Sequence, residues 1–474
     1  MIVQKNQKKF TLLILASLLL FIFSGCVFVK FDPKPLVKEE ITRNITEKSP
    51  EIIEFKDFLQ KQGFKDDQLT IKEWGLSELI LGALFYNPRI EIAKKEWDVA
   101  KIQELVAPIK PLSSFGIISG RETSGDDSSS KNAIGSNFNT FIETADKANI
   151  RLEKAINQTL LKRLELRKVV WDIRIELTQN FLRYHQLLQN IKIIKNEIRL
   201  QNDVLNMLKK RKAIGISSSI DINFYQIEFN KNLQKLIEEQ YALNETKSRL
   251  ASTIGLSAEK FNTIQIASLD YDQSVKDLSL ILDDNIKQES LVTSGLFNRI
   301  DLRIALAKYA LAESQFKLNV ANQYPDIRLS PAYIFDYGAG KWELGILSLI
   351  PSATRNKALA EEAKQLREIE GLQVEKLQTI ILNEIQKLRD NYQTSLEIIS
   401  RDKNDLIALD DLEKGLNQRF QTGEIDRLEL TQELLKNLQF KRKSLNNKIT
   451  FVKHSYDFET ILQETLIEIN SHEK

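Results

Sequence analysis

The sequence has few of the residues on which most catalytic and metal sites depend. Its 474 residues include three histidines, two methionines and one cysteine. A single cysteine excludes an intrachain disulfide, and no Ser-His-Asp set, phosphate-binding glycine loop or HExxH motif is present. We therefore expect no enzymatic activity, no metal site and no cofactor. The net charge is +2, and no basic stripe with interleaved aromatic residues predicts nucleic-acid binding.

Proline and glycine are also scarce, with 9 and 17 residues, which favours long helices over loops. From Leu177 to Ile198 the apolar residues recur at steps of three or four, which is the pattern of packed helices. Two helical patterns of roughly 70 residues, each about 105 Å long, end at Gly215 and Gly423. Glycine is the usual residue where a helix ends with φ > 0 and the chain reverses.

The second half of the chain repeats the plan of the first: a helix, a β-hairpin, a very long helix, a tight turn and a returning helix. The predicted segments are a signal peptide at 1–25, an N-terminal extension at 26–72, repeat 1 at 73–257, a linker at 258–290 and repeat 2 at 291–466. Strands are predicted at about 113–123 and 134–144, and at about 327–337 and 341–350, with hairpin tips at about 211–221 and 419–429.

The start of the chain has the features of a secretory signal. Three lysines precede an apolar run of about 14 residues, which is shorter than the roughly 20 that span a bilayer as a helix. The run closes in Ser24-Gly25-Cys26, which resembles the lipobox of bacterial lipoproteins. That resemblance implies cleavage before Cys26 and acylation of this residue. The prolines Pro33, Pro35 and Pro50 in the following segment favour an extended arm.

Four strands of about ten residues suit a membrane barrel, which needs about 9 to 11 residues per crossing. Four strands cannot close a barrel, and lipid does not tolerate open sheet edges. Three copies supply twelve strands, an even number within the known range. The membrane interpretation therefore requires a homotrimer. Alternation is weak in the first hairpin, so part of the strand around Asn137, Asn139 and Thr140 is expected in the lumen or above the bilayer.

Several short motifs, in this order on a duplicated plan, resemble the outer-membrane factor (TolC-like) efflux channels over about residues 73–466. They are Trp74-Gly75-Leu76-Ser77-Glu78-Leu79, Asn87-Pro88, the helix ends at Pro108 and Pro325, the break at Ile254-Gly255-Leu256 and the turn Arg419-Phe420-Gln421-Thr422-Gly423-Glu424. The stretch from Tyr324 to Asn356 looks most like the heavy-metal-efflux branch. The resemblance implies a mainly α fold, in which duplicated helical hairpins form an α-barrel tunnel and each protomer adds four strands to a trimeric 12-stranded β-barrel.

The resemblance also implies partners and a location. The channel would lie in the outer membrane, lipid-anchored, with its tunnel in the periplasm. A periplasmic adaptor (membrane fusion protein) and an inner-membrane pump, of the resistance-nodulation type, would dock at the closed end. Two other classes stay open on the residues alone: a periplasmic adaptor, which carries one helical hairpin, and a structural coiled-coil lipoprotein.

Matched to the family pattern, a set of charged residues beside the tips falls at the periplasmic gate. These residues are Asp221, Glu429, Asp426 and Arg427. Asp221 has an equally good interpretation as a helix cap, and Glu429 as part of a solvated helix face. The turn residues where an adaptor would dock are Gly215, Gly423 and Glu424.

Overall fold

The computed structural model describes residues 29–121, 132–285, 295, 299–336, 339–348, 352–463 and 465. The chain divides into two compact units, 1–47 and 48–474. In the first unit, helix α1 (Lys38–Thr46) leaves Ile41 and Ile45, one turn apart, exposed. Cys26 and the predicted signal peptide lie outside the described residues.

The second unit repeats one order of elements. Its described helices are α2 (Ile53–Lys61), α3 (Leu76–Tyr86), α4 (Pro88–Val106), α5 (Lys147–Ala213), α6 (Ser219–Ile254), α7 (Ala258–Phe261), α8 (Tyr271–Asn285), α9 (Ile300–Ala321), α10 (Ala353–Gln421) and α11 (Arg427–Leu462). Its strands are β1 (Ser114–Arg121), β2 (Asn132–Ile142), β3 (Ile327–Asp336) and β4 (Ala339–Ser348). The run α4–β1–β2–α5–α6 has the same order as α9–β3–β4–α10–α11. The predicted fold class, mainly α with a small four-stranded part, is confirmed.

The two long helices match in length. Helix α5 has 67 residues and α10 has 69, so each is about 100 Å long at 1.5 Å per residue. The returning helices α6 and α11 have 36 residues each. In the described part of the chain, no helix combines the length and the apolar character that crossing a membrane requires.

Helix α5 lies at the centre of the helical layer. It contacts α4 and α9 towards its N-terminus, and α6 and α11 from near its middle to its C-terminus. Helix α10 packs against α9 and α11. Laterally, the order is therefore α4–α5–α9–α10 beside the sheet and α6–α5–α11–α10 beside the tips. In both rows α10 is one edge of the layer, and α4 or α6 is the other.

The cores lie where the returning helices end. One cluster surrounds Trp74, Leu177 and Leu250, and the other surrounds Ile381 and Phe458. Helix α6 ends at Gly255, whose φ is +94°. A Cβ atom there would lie 2.5 Å from the carbonyl oxygen of Tyr86, so both the conformation and the close contact require glycine.

The expectation of an extended arm before residue 73 is wrong, because part of this segment forms helices α1 and α2. Residues 53–61 form helix α2, and Phe55 and Leu59 are fully buried in the first core. The ring of Phe55 lies 5.9 Å from that of Trp74 and 5.2 Å from that of Tyr86. The apolar residues recur at helical spacing here, so burial of one face outweighs the disordering effect of the prolines, all of which precede the helix.

The four strands form one antiparallel sheet in the order β1-β2-β3-β4. Strand β4 begins earlier than expected, because Ala339 and Gly340 pair with Asp336 and Phe335 rather than forming a turn. Strand β2 ends at Ile142, two residues before the predicted end. The hydroxyl of Thr144 instead donates to the carbonyl of Pro325 at 2.8 Å, so this residue ties the sheet to the second repeat.

Candidate functional site: hairpin tips and open sheet

Both tips close with the same backbone motif. At the end of α5 the N–H of Ile216 donates to the carbonyl of Arg211 at 2.9 Å, and that of Gly215 to the carbonyl of Lys212 at 2.9 Å. At the end of α10 the N–H groups of Glu424 and Gly423 make the equivalent bonds, at 2.9 and 3.2 Å. This pair of bonds defines the Schellman motif. The two turn glycines have φ of +81° and +78°, so each residue chosen from the sequence lies at the left-handed position.

Asp221 takes part in the cap of the first returning helix. The Ser218 hydroxyl accepts from the N–H of Asp221 at 3.2 Å, and the Asp221 carboxylate accepts from the N–H of Ser218 at 3.2 Å. This reciprocal arrangement is a capping box. The Asp221 side chain is nevertheless exposed, so Asp221 both caps the helix and presents a negative charge to solvent.

Asp426 caps the second returning helix. Its Oδ1 accepts from the N–H groups of Leu428 at 2.7 Å and Glu429 at 3.0 Å. Two residues earlier in the turn, the carboxylate of Glu424 accepts from the Thr422 hydroxyl at 3.0 Å. The side chain of Asp426 thus satisfies two of the N–H groups that a helix start leaves without partners.

The other oxygen of Asp426 joins the two tips. Its Oδ2 accepts from a guanidinium nitrogen of Arg211, in the last turn of α5. The backbone N–H of Glu429 and the Arg211 guanidinium together hold the pKa of the Asp426 carboxyl below its usual value. The side chains of Arg211 and Asp426 are 33% and 53% exposed, so solvent screens this ion pair and its contribution is modest.

Further contacts join the tips next to this ion pair. The amide of Gln432 on α11 donates to the hydroxyl of Tyr225 on α6 at 2.9 Å. Buried Val204 and Leu208 on α5 form a small apolar cluster with Leu428 on α11. The tips of the two repeats therefore contact each other directly within one chain, through apolar, hydrogen-bonded and ionic contacts.

The remaining predicted gate residues are placed differently. Arg427 and Glu429 are exposed, and their side chains form no ion pair with any residue that the structure describes. Both are on the first turn of α11, next to the Arg211–Asp426 contact. The structure thus brings Asp426 into the contact between repeats and leaves Arg427 and Glu429 presented to solvent.

Arg211, Tyr225 and Gln432 were not recognised in the sequence as functional residues. The only local signal for Arg211 is a cation in the last turn of a helix, where cations are favoured in any helix. Its partner lies 215 positions away. The pairing of Arg211 with Asp426 could not be predicted from the sequence, because it depends on how the two hairpins pack.

The sheet exposes apolar side chains on one face. The register places Phe115 opposite Phe138, and Tyr333 opposite Trp342. The rings of Tyr333 and Trp342 are 4.8 Å apart. On β4, Trp342 is 82% exposed and Leu344 is 65% exposed. An apolar surface of this extent on one side of a sheet marks a face that contacts something other than water.

The opposite face of the sheet, the polar face, carries most of its polar side chains together with a few apolar ones such as Leu347. Asn139 is 8% exposed; its amide nitrogen donates to the Ser114 hydroxyl at 3.1 Å, and its oxygen accepts from the Ser330 hydroxyl at 2.6 Å. Asn137 shares this face, whereas Thr140 pairs with Leu329 on the apolar face. The weak alternation in the first hairpin therefore does not interrupt the two-faced pattern, because the register places both asparagines on the polar side.

The two histidines that the structure describes have structural surroundings. Burial lowers the pKa of His185 to about 4, and its ring lies 4.5 Å from that of Phe181. Nδ1 of His454 lies 2.6 Å from the Ser395 hydroxyl. Among the described residues, no group of three or more His, Cys, Asp or Glu side chains is arranged to hold a metal ion.

No family model matches the sequence, and no curated protein matches it significantly. Solved structures do match. The outer membrane protein VceC of Vibrio cholerae is 16% identical, with a TM-score of 0.60 over 80% of this chain and 95% of that one. CusC, whose structures concern transmembrane channel formation, is 15% identical, with a TM-score of 0.60 over 82% and 91%. The Campylobacter jejuni outer membrane channel CmeC is 11% identical, with a TM-score of 0.65 over 92% and 93%. At these identities the likeness establishes the fold.

Proposed function

We propose that this chain, which has the fold of the outer-membrane factor channels, is the outer-membrane channel of a tripartite efflux system. It works as a homotrimer with a periplasmic adaptor and an inner-membrane pump of the resistance-nodulation type. The coverage of more than nine-tenths of VceC and CusC supports a complete channel fold. The proposed partners are inferred from the family resemblance. In this proposal the helical part of the chain lies in the periplasm.

The observation that carries this proposal is the polarity of the sheet. A sheet in contact with water buries its apolar face and exposes its polar one. Here Trp342, Leu344 and Ile117 are exposed while Asn139 is buried. Lipid on the apolar face and an aqueous bore on the polar face account for both features.

The edges of the sheet support a trimer. Among the described residues, strands β1 and β4 each pair with one neighbouring strand, and their other edges have no strand partner. Unpaired backbone groups in hydrocarbon cost several kcal/mol each, so both edges need partners there. Strand β4 of one copy pairs with β1 of the next, and three copies close a barrel of twelve strands.

The edges of the helical layer fit the same assembly. On α4, Ile92, Val99 and Val106 recur every seven residues and are all more than half exposed. On α10, Leu366 and Leu372 are also more than half exposed. Two different apolar edges form a head-to-tail interface, which closes into a ring under threefold rotation.

We place the periplasmic gate at the tips, on Asp221, Asp426, Arg427 and Glu429. Three copies of an exposed carboxylate around an axis concentrate negative potential, which favours cations in the constriction. Arg211 holds Asp426 and so keeps the two hairpins of each copy together. The turns at Gly215, Gly423 and Glu424 are the proposed docking points for the adaptor.

The lipid anchor at Cys26 remains a proposal from the sequence. Replacing Cys26 by serine should leave trimer formation and conductance intact if the sheet itself crosses the membrane. The same change should release the protein from membranes if the acyl chains are its sole attachment.

Two neighbouring positions on β4 test the channel. Leu344→Arg puts a cation on the apolar face, and Glu343→Arg puts the same residue on the polar face. We expect Leu344→Arg to destabilise assembly by about 2 to 4 kcal/mol if this position lies near the bilayer midplane. Glu343→Arg should still assemble and should change ion selectivity instead. Heat-resistant trimers in detergent gels and single-channel currents in planar bilayers measure both effects.

The result that overturns the proposal is a wild-type protein that stays monomeric and never forms pores. Equal tolerance of arginine at both positions would contradict the assignment of the two faces. A monomer without pores would favour the adaptor or the coiled-coil lipoprotein.

A further inference from the structure

A cavity of about 490 Å³ lies where the sheet meets the helices. It lies between the ends of β2 and β4, the start of β3 and the start of α10. Its walls include Phe141, Lys147, Tyr324, Arg328, Leu347 and Arg355. Its volume is within the range of sites for small organic molecules, about 300 to 1,000 Å³.

The cavity carries more positive than negative charge. The ammonium of Lys147 donates to Asp326 at 2.7 Å and to the carbonyl of Tyr324 at 2.7 Å, so this cation is neutralised. The guanidinium groups of Arg328 and Arg355 remain, and neither forms an ion pair with a described residue. Two uncompensated cations therefore line one cavity.

Arg328 has an unsatisfied donor. Its Nε is buried and has no hydrogen-bond partner among the described residues. A buried donor without an acceptor destabilises the protein, and an acceptor bound in the cavity would remove this cost. The guanidinium is held next to the Phe141 ring, 5.7 Å from its centroid.

Arg355 lies where cations are disfavoured. Ser352 caps α10, and Arg355 is the third residue of this helix. The first turn of α10 contains no acidic residue, although the positive end of the helix dipole favours acidic residues there. An anion in the cavity would meet both the guanidinium and the positive end of a 69-residue helix.

The lining residues and the face of the sheet on which the cavity lies indicate the chemical class of the ligand. Phe141, Tyr324 and Leu347 supply apolar and aromatic surface. The register places Arg328 next to Phe141 and Leu347, on the polar face of the sheet. In the proposed channel this face borders the aqueous bore, so the ligand comes from the bore rather than from the lipid.

We propose that this cavity binds organic anions that carry a phosphate or carboxylate group on an aromatic or apolar body. The inference deepens the proposed function, since it assigns a binding site to the wall of the bore. Arg328 and Arg355 bind the anionic group, and Phe141 and Tyr324 contact the body. This site has the opposite sign to the acidic tips at the other end of the helices.

Calorimetric titration of the full-length protein in detergent with 4-nitrophenyl phosphate tests the site without requiring a pore. We expect binding to the wild type and a loss of about tenfold or more in Arg328→Gln and in Arg355→Gln, because each removes a charged hydrogen-bond donor. Lys341→Gln is the control, since it removes a cation from the same face of the sheet outside the cavity. Inorganic phosphate should bind more weakly than the aromatic ester.

Unchanged affinity in both arginine variants, or an equal loss in Lys341→Gln, overturns the proposal. Equal affinity for inorganic phosphate overturns the part assigned to the aromatic walls. Single-channel currents distinguish failure of the anion site from failure of the channel proposal. Currents without binding would support the channel and contradict the anion site. Binding without currents would support the anion site and contradict the channel.

Discussion

Arg174 and Glu459 lie 285 positions apart and form a buried ion pair in which the guanidinium contacts both carboxylate oxygens. Nη2 of Arg174 lies 3.0 Å from Oε2 of Glu459, and the two side chains are 9% and 2% exposed. Burial, and then the Glu459 charge, raises the pKa of nearby Tyr456 to about 12. The pair connects α5 of the first repeat to α11 of the second, near the middle of the molecule.

Replacing Arg174 by methionine should destabilise the protein by about 3 to 5 kcal/mol, because it removes the guanidinium that faces the buried Glu459 carboxylate. Arg401→Met is the matched control, since Arg401 pairs with Glu397 on an exposed helix face. That change should cost less than about 1 kcal/mol. The shift of the denaturant midpoint measures both. Equal shifts would show that the buried pair adds nothing beyond an exposed one.

Arg211→Gln should weaken the contact between the tips and raise conductance. Because the ion pair is partly exposed and screened by solvent, its loss should cost about 0.2 to 1 kcal/mol. This favours the open tip by about 1.4- to 5-fold. Arg199→Gln, which removes an exposed cation earlier on the same helix, is the control. Identical single-channel conductance in the two variants would remove Arg211 from the gate.

The tip contact should persist from neutral pH to about pH 5 and weaken only in more acidic solution. The pKa of Asp426 is depressed in the folded protein. Its stabilisation is therefore present above the unfolded pKa of about 3.9 and is lost as the pH falls through the lower, folded value. Asp426→Asn keeps a capping oxygen but cannot titrate. The difference between wild-type and Asp426→Asn conductance across this range isolates Asp426 from Asp221 and Glu429.

Gly423→Ala and Gly415→Ala should change stability in opposite directions, although both glycines belong to the same hairpin and neither has an atom near the added methyl group. Gly423 has φ of +78°, where alanine costs about 1 to 2 kcal/mol. Gly415 lies within α10, where alanine gains about 0.5 to 1 kcal/mol. Thermal unfolding of the two variants measures both changes in stability. A stabilised Gly423→Ala would contradict the turn conformation.

Neutralising Asp221 and Glu429 together should raise conductance and weaken cation selectivity, because both carboxylates are exposed beside the tips. Asp221→Asn keeps an acceptor for the Ser218 N–H, so the cap loses less than it would with alanine. Glu238→Gln, on the same helix as Asp221 but farther from the turn, is the control. Reversal potentials in a salt gradient measure selectivity. If the double variant has the same reversal potential as the control, the assignment of Asp221 and Glu429 to an acidic gate is wrong.

The long helices and their turns were predictable because they depend on local chemistry. Apolar spacing defined the helices, and glycine at a left-handed position followed by a capping residue defined Gly215 and Gly423. Helix α2 was not predicted, because three prolines in its segment favour an extended chain. The helix is stabilised by the burial of Phe55 and Leu59 in the aromatic core, which only the tertiary structure shows. The same limit applies to the first β-hairpin, in which polar residues hid the alternation.

The sequence alone determined the long helices, the four strands and the two tip turns, because backbone propensity, side-chain period and capping act over a few neighbouring residues. Only the tertiary structure decided which residues meet across more than 200 positions, as Arg211 and Asp426 do, and which face of the sheet is apolar. Such contacts depend on the packing of whole elements and on strand register. In a strand, a register shift of one residue exchanges every side chain between the two faces.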